Sequence, residues 1–133
     1  MSETQISVEQ EHTVGELCVI ESMSPLTAFA VIFEDDGAAA HFHGLDTSNE
    51  QSFRLDLLHV YDVKGVEDAH LPVVLQIVWS GDGLKVALLL NGVGHAVFDF
   101  AAQRGYCRNN KPKPNLSWTA YDHEWVDEVA ELF

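Results

Sequence analysis

The sequence predicts an α+β fold that is mainly β: an antiparallel sheet of six or seven strands, laid out as a meander of hairpins, with a C-terminal helix packed on one face. Three observations predict it. Short β-type apolar runs recur about every eight to twelve residues with no helical stretch between them, which is the spacing of antiparallel rather than βαβ structure. Turn signals separate the runs, since Asp35-Asp36-Gly37, Gly81-Asp82-Gly83 and Asn91-Gly92 each place a glycine where a tight reversal needs positive φ. Helical spacing appears only near the C-terminus, where Trp125, Val129, Leu132 and Phe133, with Val126 and Ala130 alongside, oppose Glu124, Asp127, Glu128 and Glu131.

In chain order, residues 1–14 are polar without a sustained period and are expected to form a loose arm, and residues 15–133 a single globular domain. The expected strands are Leu17 to Glu21, Leu26 to Glu34, Ala38 to Leu45, Leu55 to Tyr61, Val73 to Ser80, Leu84 to Leu90 and His95 to Phe100. Both faces are apolar in Val86 to Leu90, so this strand is expected at the centre of a meander over residues 73–100, covered on both sides. The second cover is the expected helix over residues 122–132, with Asp122 as its N-cap. Residues 46–53 and 101–116 read as long loops, and a short helical turn is expected through Val66 to His70.

Charge restricts the partners. The chain has 21 Asp and Glu against 7 Lys and Arg, a net charge of −14, which opposes attraction to phosphate and argues against nucleic acid. Residues 1–53 contain ten acids and no Lys or Arg, whereas Arg104, Arg108, Lys111 and Lys113 form one basic loop. No apolar run approaches the ~20 residues of a membrane helix, and the acidic, cation-free N-terminal stretch is the reverse of a secretory signal. A cytoplasmic protein is expected, with Cys18 and Cys107 as free thiols.

Several residue groups invite chemistry. His95, Val97 and Asp99 alternate onto one strand face, and Arg104, Tyr106 and Arg108 follow in the basic loop. With His123 they make the candidate binding set: His95, Asp99, Arg104, Tyr106, Arg108 and His123. The two arginines are expected to fold back onto carboxylates such as Asp99 or the C-terminal acids. His41 and His43 share a strand face, but no third ligand is well spaced, so no metal site is expected and no cofactor is implied. Cys107 sits between cations that would lower a thiol pKa, yet it has no assignable base and reads as a buried anchor. No nucleophile accompanies His95 and Asp99, so no catalytic residue is assigned and an enzyme is the less favoured reading.

Three phrases together resemble an uncharacterised bacterial family, domain of unknown function twenty-two fifty-one: Phe33-Glu34-Asp35-Asp36-Gly37; Gln76-Ile77-Val78-Trp79-Ser80 with Asp82-Gly83 and Asn91; and His95-Ala96-Val97-Phe98-Asp99-Phe100 followed by Arg104-Gly105-Tyr106-Cys107-Arg108. The resemblance extends to His123-Glu124-Trp125 and implies one shared domain over most of residues 15–133, without an activity or cofactor. The function expected from these features is a protein-binding module, similar to immunity proteins, whose acidic half steers it to a cationic protein such as a toxin. The alternative is a small-molecule-binding protein or enzyme using a polar site around His95, Asp99 and the Arg104 to Arg108 loop.

Overall fold

The structure is a computed structural model that describes residues 4–48, 53–67, 69, 71–109 and 114–132. Its strands are β1 (Gln5–His12), β2 (Cys18–Met23), β3 (Phe29–Asp35), β4 (Ala39–Asp46), β5 (Phe53–Asp62), β6 (Val73–Trp79), β7 (Lys85–Leu90), β8 (Val93–Asp99) and β9 (Arg104–Cys107). They form two antiparallel sheets, one ordered β1-β6-β7-β8-β9 and the other β2-β3-β4-β5. The inner faces pack on each other through one core that joins Val31, Phe33, Phe42 and Leu58 of the smaller sheet to Leu75, Ile77, Trp79, Val86, Leu88 and Phe98 of the larger. This is a sandwich.

The expected single sheet with a helical cover is therefore corrected. The chain divides because β1 pairs with β6, far along the sequence, rather than with β2. Residues 5–12, expected as an arm, form this edge strand. It needs few apolar side chains because Val8 reaches the core, buried His12 closes the strand, and the backbone ladder to β6 supplies the rest.

The C-terminal helix is absent, and among the described residues no α-helix occurs; residues 127–132 form only a 3-10 helix. The cause lies just upstream. Cys107 N donates to His123 O at 2.9 Å, and Cys107 and Glu124 form a parallel bridge, so residues 123–124 run extended beside β9. Asp122 accepts from Glu124 N at 3.1 Å in a local turn, not as a helix cap. β9 itself falls inside the expected loop over residues 101–116. The other 3-10 turn is Val63–Gly65, upstream of the turn expected at Val66 to His70, of which Asp68 and His70 lie outside the described residues.

β6, β7 and β8 run as consecutive antiparallel neighbours, with β7 between the other two. The inner face of β7 meets the opposite sheet; its outer face carries Ala87, which packs with Val97, Tyr106 and Val129 in a second, smaller apolar cluster. The sandwich interior is dominated by aromatic rings: Phe100 stacks on Phe29 at 4.4 Å between centroids, and Phe98 lies 5.6 Å from Phe42. Gly44 makes room for this arrangement, because a Cβ there would come within 3.1 Å of the Phe98 ring.

Two buried carboxylates fasten the layers. Asp35, at the end of β3, accepts from Tyr61 Oη at 2.6 Å, from His12 Nε2 at 3.0 Å, and from the backbone amides of Gly15 and Gly37 at 2.8 and 2.9 Å. Asp56 on β5 accepts from His123 Nε2 at 2.7 Å and from the amides of Leu57 and Asn115. Burial opposes ionisation of Asp35, but the hydrogen bonds from Tyr61, Gly15, Gly37 and His12 outweigh it and hold the carboxyl below its ordinary value.

Candidate functional site

The two outward faces of the sandwich differ. On the larger sheet, strand alternation turns His95, Val97 and Asp99 of β8 and Arg104, Tyr106 and Arg108 outward, while Ala96, Phe98, Gly105 and Cys107 turn in. The C-terminal segment lies over part of this face, with Trp125 and Val126 packed against the Ala87, Val97, Tyr106 and Val129 cluster. Between that segment and the sheet is a cavity of about 290 Å³, lined by Val78, Ala87, Leu89, Gly92, Gly94, Val97, Arg108, Trp125 and Val129.

The sequence-expected binding residues are distributed unevenly around this region. The Arg104 guanidinium stacks on two tyrosine rings, at 4.7 Å from Tyr106 and 4.5 Å from Tyr121. Arg108 stacks on Trp125 at 4.3 Å, donates from Nε to Gly94 O at 2.6 Å, and is tied through its backbone amide to His95 O at 3.2 Å. Among the described residues neither arginine has a carboxylate within 4.0 Å, so the expected ion pairs are replaced by aromatic stacking. The reason is local. β9 and the residue after it place each arginine beside a ring, whereas Asp99, the cross-strand partner of Arg104, is occupied in capping the β8–β9 turn through Ala102 N at 3.0 Å.

His95 is half-buried beside this group, and burial followed by the Arg108 charge depresses its pKa below the ordinary 6.5. His123 does not join the set. It is fully buried behind β9 and paired with Asp56, so the structure brings together Arg104 with Tyr106 and Arg108 with His95, and holds Asp99 and His123 in separate structural networks. Trp125 and Tyr121 are the residues sequence reasoning missed as partners of the arginines. Trp125 reads in the sequence as part of the expected helix face, and Tyr121, outside that helix, carries no signal of its own. Cys107 is buried and its Sγ–H donates to His59 O at 3.0 Å, bridging β9 to β5. Cys18 is half-buried, and burial, then Asp35 and Glu16, push its thiol up. Lys111 and Lys113 lie outside the described residues.

The smaller sheet turns Val19, Glu21 and Met23 of β2, Ile32 and Glu34 of β3, His41, His43 and Leu45 of β4, and Leu57 and His59 of β5 to the other side. No element among the described residues lies across this face. Val19 and Met23 are 63% and 57% exposed, and a depression of about 490 Å³ is lined by Glu21, Met23, Ala30, Val31, Ile32, Leu45 and Thr47. His41 lies nearer to His59, at 4.8 Å between ring centroids, than to His43, at 6.4 Å. Each flanking histidine has a carboxylate: His43 Nε2 is 3.4 Å from Glu34 and His59 Nε2 is 3.0 Å from Asp62. Burial, then His59, lowers the pKa of His41; burial also lowers that of His43 against the opposing pull of Glu34. Among the described residues no group of three or more His, Cys, Asp or Glu side chains is arranged to hold a metal ion, and no helix is long and apolar enough to cross a membrane.

The phrases that carry the resemblance thus fall at the Asp35 network, the β6–β7 hairpin and the β8–β9 face with its aromatic cover. The model of domain of unknown function twenty-two fifty-one, described as an uncharacterized protein conserved in bacteria, matches residues 12–133. The chain belongs to this family. An uncharacterized protein of Haemophilus influenzae (strain ATCC 51907 / DSM 11121 / KW20 / Rd) is 44% identical over 93 residues, which cover 68% of this chain and 58% of that protein. The chain thus spans less than two thirds of that relative's length. No solved structure matches the chain.

Proposed function

We propose that this member of the family is a cytoplasmic, non-enzymatic binding module whose four-stranded sheet docks a cationic protein, in the way an immunity protein neutralises a cationic toxin. One observation carries the reading: the outer face of β2–β5 combines exposed apolar side chains with carboxylates and has no cover among the described residues. Met23, Ile32 and Leu45 supply a contiguous apolar strip, and Glu21 and Glu34 flank it, with Asp36 and Asp62 at the strand ends. An uncovered strip of this kind on a sheet is the chemistry of an interface core with a charged rim. Its partner would be basic, because the strands β1–β4 carry no Lys or Arg and Arg54 is the lone cation on β5. Acidic steering of this sort speeds encounter and discriminates against acidic competitors more than it adds affinity. A net charge of −14 makes nucleic acid a poor ligand.

The test is affinity capture from the native host with the wild-type chain and with the double variant Glu21→Lys, Glu34→Lys, followed by titration of the purified captured protein. The expected result is a basic protein whose binding weakens with salt and is lost in the double variant, while the variant's melting curve stays that of a folded protein. Capture that is indifferent to the charge reversal, or a partner of acidic character, overturns the reading.

A further inference from the structure

A second site lies on the opposite side of the sandwich and does not depend on the docking face. The cavity beneath Trp125 is apolar on its floor and walls, with Val78, Leu89 and Val97 from the sheet and Val129 from the C-terminal segment. The single charged residue lining it, among the described residues, is Arg108. Among the described residues Arg108 has no carboxylate within 4.0 Å, so none of their acids neutralises it at the cavity. Its stack on Trp125 and its Nε bond to Gly94 O fix the plane of the guanidinium, and such fixing leaves the two terminal nitrogens as a fork suited to an oxyanion. Gly92 and Gly94 line the cavity without side chains.

We propose that this cavity binds a small carboxylate with a flat apolar body, such as an arylacetate, its carboxylate on Arg108 and its ring beside Trp125 against Val78, Leu89 and Val97 of the sheet. The volume of about 290 Å³ sits at the lower end of small-molecule pockets and limits the ligand to a single ring with a short acidic arm. The apolar walls favour an organic acid over an inorganic anion, which would leave them wetted while losing its own hydration.

Phenylacetate is the probe, followed by nitrogen-15 NMR on the full chain, with 2-phenylethanol and inorganic phosphate as comparisons. The expected result is saturable shifts at the Trp125 indole and the Gly92 and Gly94 amides with phenylacetate, on the order of 0.1 to 1 mM in Kd for so small a ligand. The alcohol should bind at least roughly tenfold more weakly, one such factor being what a charged hydrogen-bonded contact commonly supplies. Phosphate should leave these signals in place. Arg108→Gln should reduce phenylacetate to the affinity of the alcohol, and Arg108→Lys, which keeps the charge but loses the planar stack, should fall between. Should Arg108→Gln fail to fold, the lysine variant and the acid-to-alcohol ratio still decide. Equal binding of acid and alcohol, shifts that scatter without saturating, or phosphate moving the same amides as strongly overturns the proposal.

Discussion

His123 Nε2 and Asp56 Oδ2 lie 2.7 Å apart with both side chains closed to solvent, and this pair joins the C-terminal segment to β5. Asp56 Oδ1 simultaneously accepts from Leu57 N at 2.9 Å and Asn115 N at 3.2 Å, so one carboxylate organises three stretches of chain. Removing it strands a buried imidazole and two amides. Asp56→Ala is expected to cost about 3 to 5 kcal/mol, and Asp56→Asn, which retains the acceptor, about 1 to 3 kcal/mol. Urea unfolding checks both; a loss below about 1 kcal/mol for the alanine variant would show that the pair is incidental to stability.

Arg104 is held by rings rather than by acids, and that difference is measurable. Its guanidinium lies between Tyr106 and Tyr121, with Nε buried and without a hydrogen-bond partner among the described residues. The stabilisation must therefore come from the cation and the ring faces, an interaction of about 0.5 to 2 kcal/mol depending on desolvation. Arg104→Ala should lower stability by about 1 to 2 kcal/mol, and a double-mutant cycle with Tyr121→Leu should return a coupling of about 0.5 to 1 kcal/mol. Because screening acts weakly on a stack compared with an exposed ion pair, the coupling should persist in high salt. Its disappearance there would point to a carboxylate partner instead.

Gly83 sits in the β6–β7 turn at φ +72°, and a Cβ there would collide with Ser24 Oγ. Ser24 is itself fixed, donating to Gly83 O at 2.8 Å and accepting from the amides of Leu26 and Thr27. The glycine thus serves both its own turn and the contact between the two sheets. Gly83→Ala is expected to cost roughly 2 kcal/mol or more, since left-handed strain and displacement of Ser24 add. An alanine variant of wild-type stability would mean that the turn rearranges freely.

Much of the fold is legible where two signals coincide. The β6–β8 meander carries apolar runs and glycine turns together, and the structure places its turns at Gly81-Asp82-Gly83 and Asn91-Gly92. β1 and β9 are not legible: β1 turns only Val8 and His12 toward the core and is made by pairing with β6, distant in sequence, while β9 is four residues long, too short to show a sustained alternation although its partner β8 lies just across a turn. Asp35 reads as a turn residue from the phrase Asp35-Asp36-Gly37, yet it stands in phase with Val31 and Phe33, which marked it as inward-facing. Asp56 is likewise in phase with Leu58 and Val60. His123 was visible as a candidate while its partner was not, since the pairing crosses 67 residues. The helical period at Trp125 and Val129 is real as a pattern, but the bridge of Glu124 to Cys107 fixes the backbone before a helix can start.

Acid should weaken the protein in two stages, and the sign follows from the directions of the shifts. His41, His43 and His95 all have folded-state pKa values below the ordinary 6.5, so the unfolded chain binds their protons first as pH falls. Stability carried by their neutral forms is complete above pH 6.5 and is lost as pH drops from there through the folded values. Asp35 is depressed below 3.8, so its contribution is complete above that value and is lost as pH falls further, through its folded pKa. Tyr61 is the lever on the second stage. Its hydroxyl donates to Asp35 at 2.6 Å, and burial, then that carboxylate, pushes its own ionisation far up, so it stays a donor throughout. Tyr61→Phe removes one of the bonds that hold Asp35 ionised; it should cost about 1 to 3 kcal/mol near neutrality and move the acid transition to higher pH. Replacing His41 and His43 together with Asn should instead flatten the stability profile between pH 8 and 5 while leaving the Asp35 stage where it is. Denaturant midpoints measured from pH 8 down through the Asp35 stage, below pH 3.8, for the three proteins separate these effects. A wild-type midpoint unchanged from pH 8 to 5, or an acid transition in Tyr61→Phe that coincides with wild type, would contradict the assignment of the two stages.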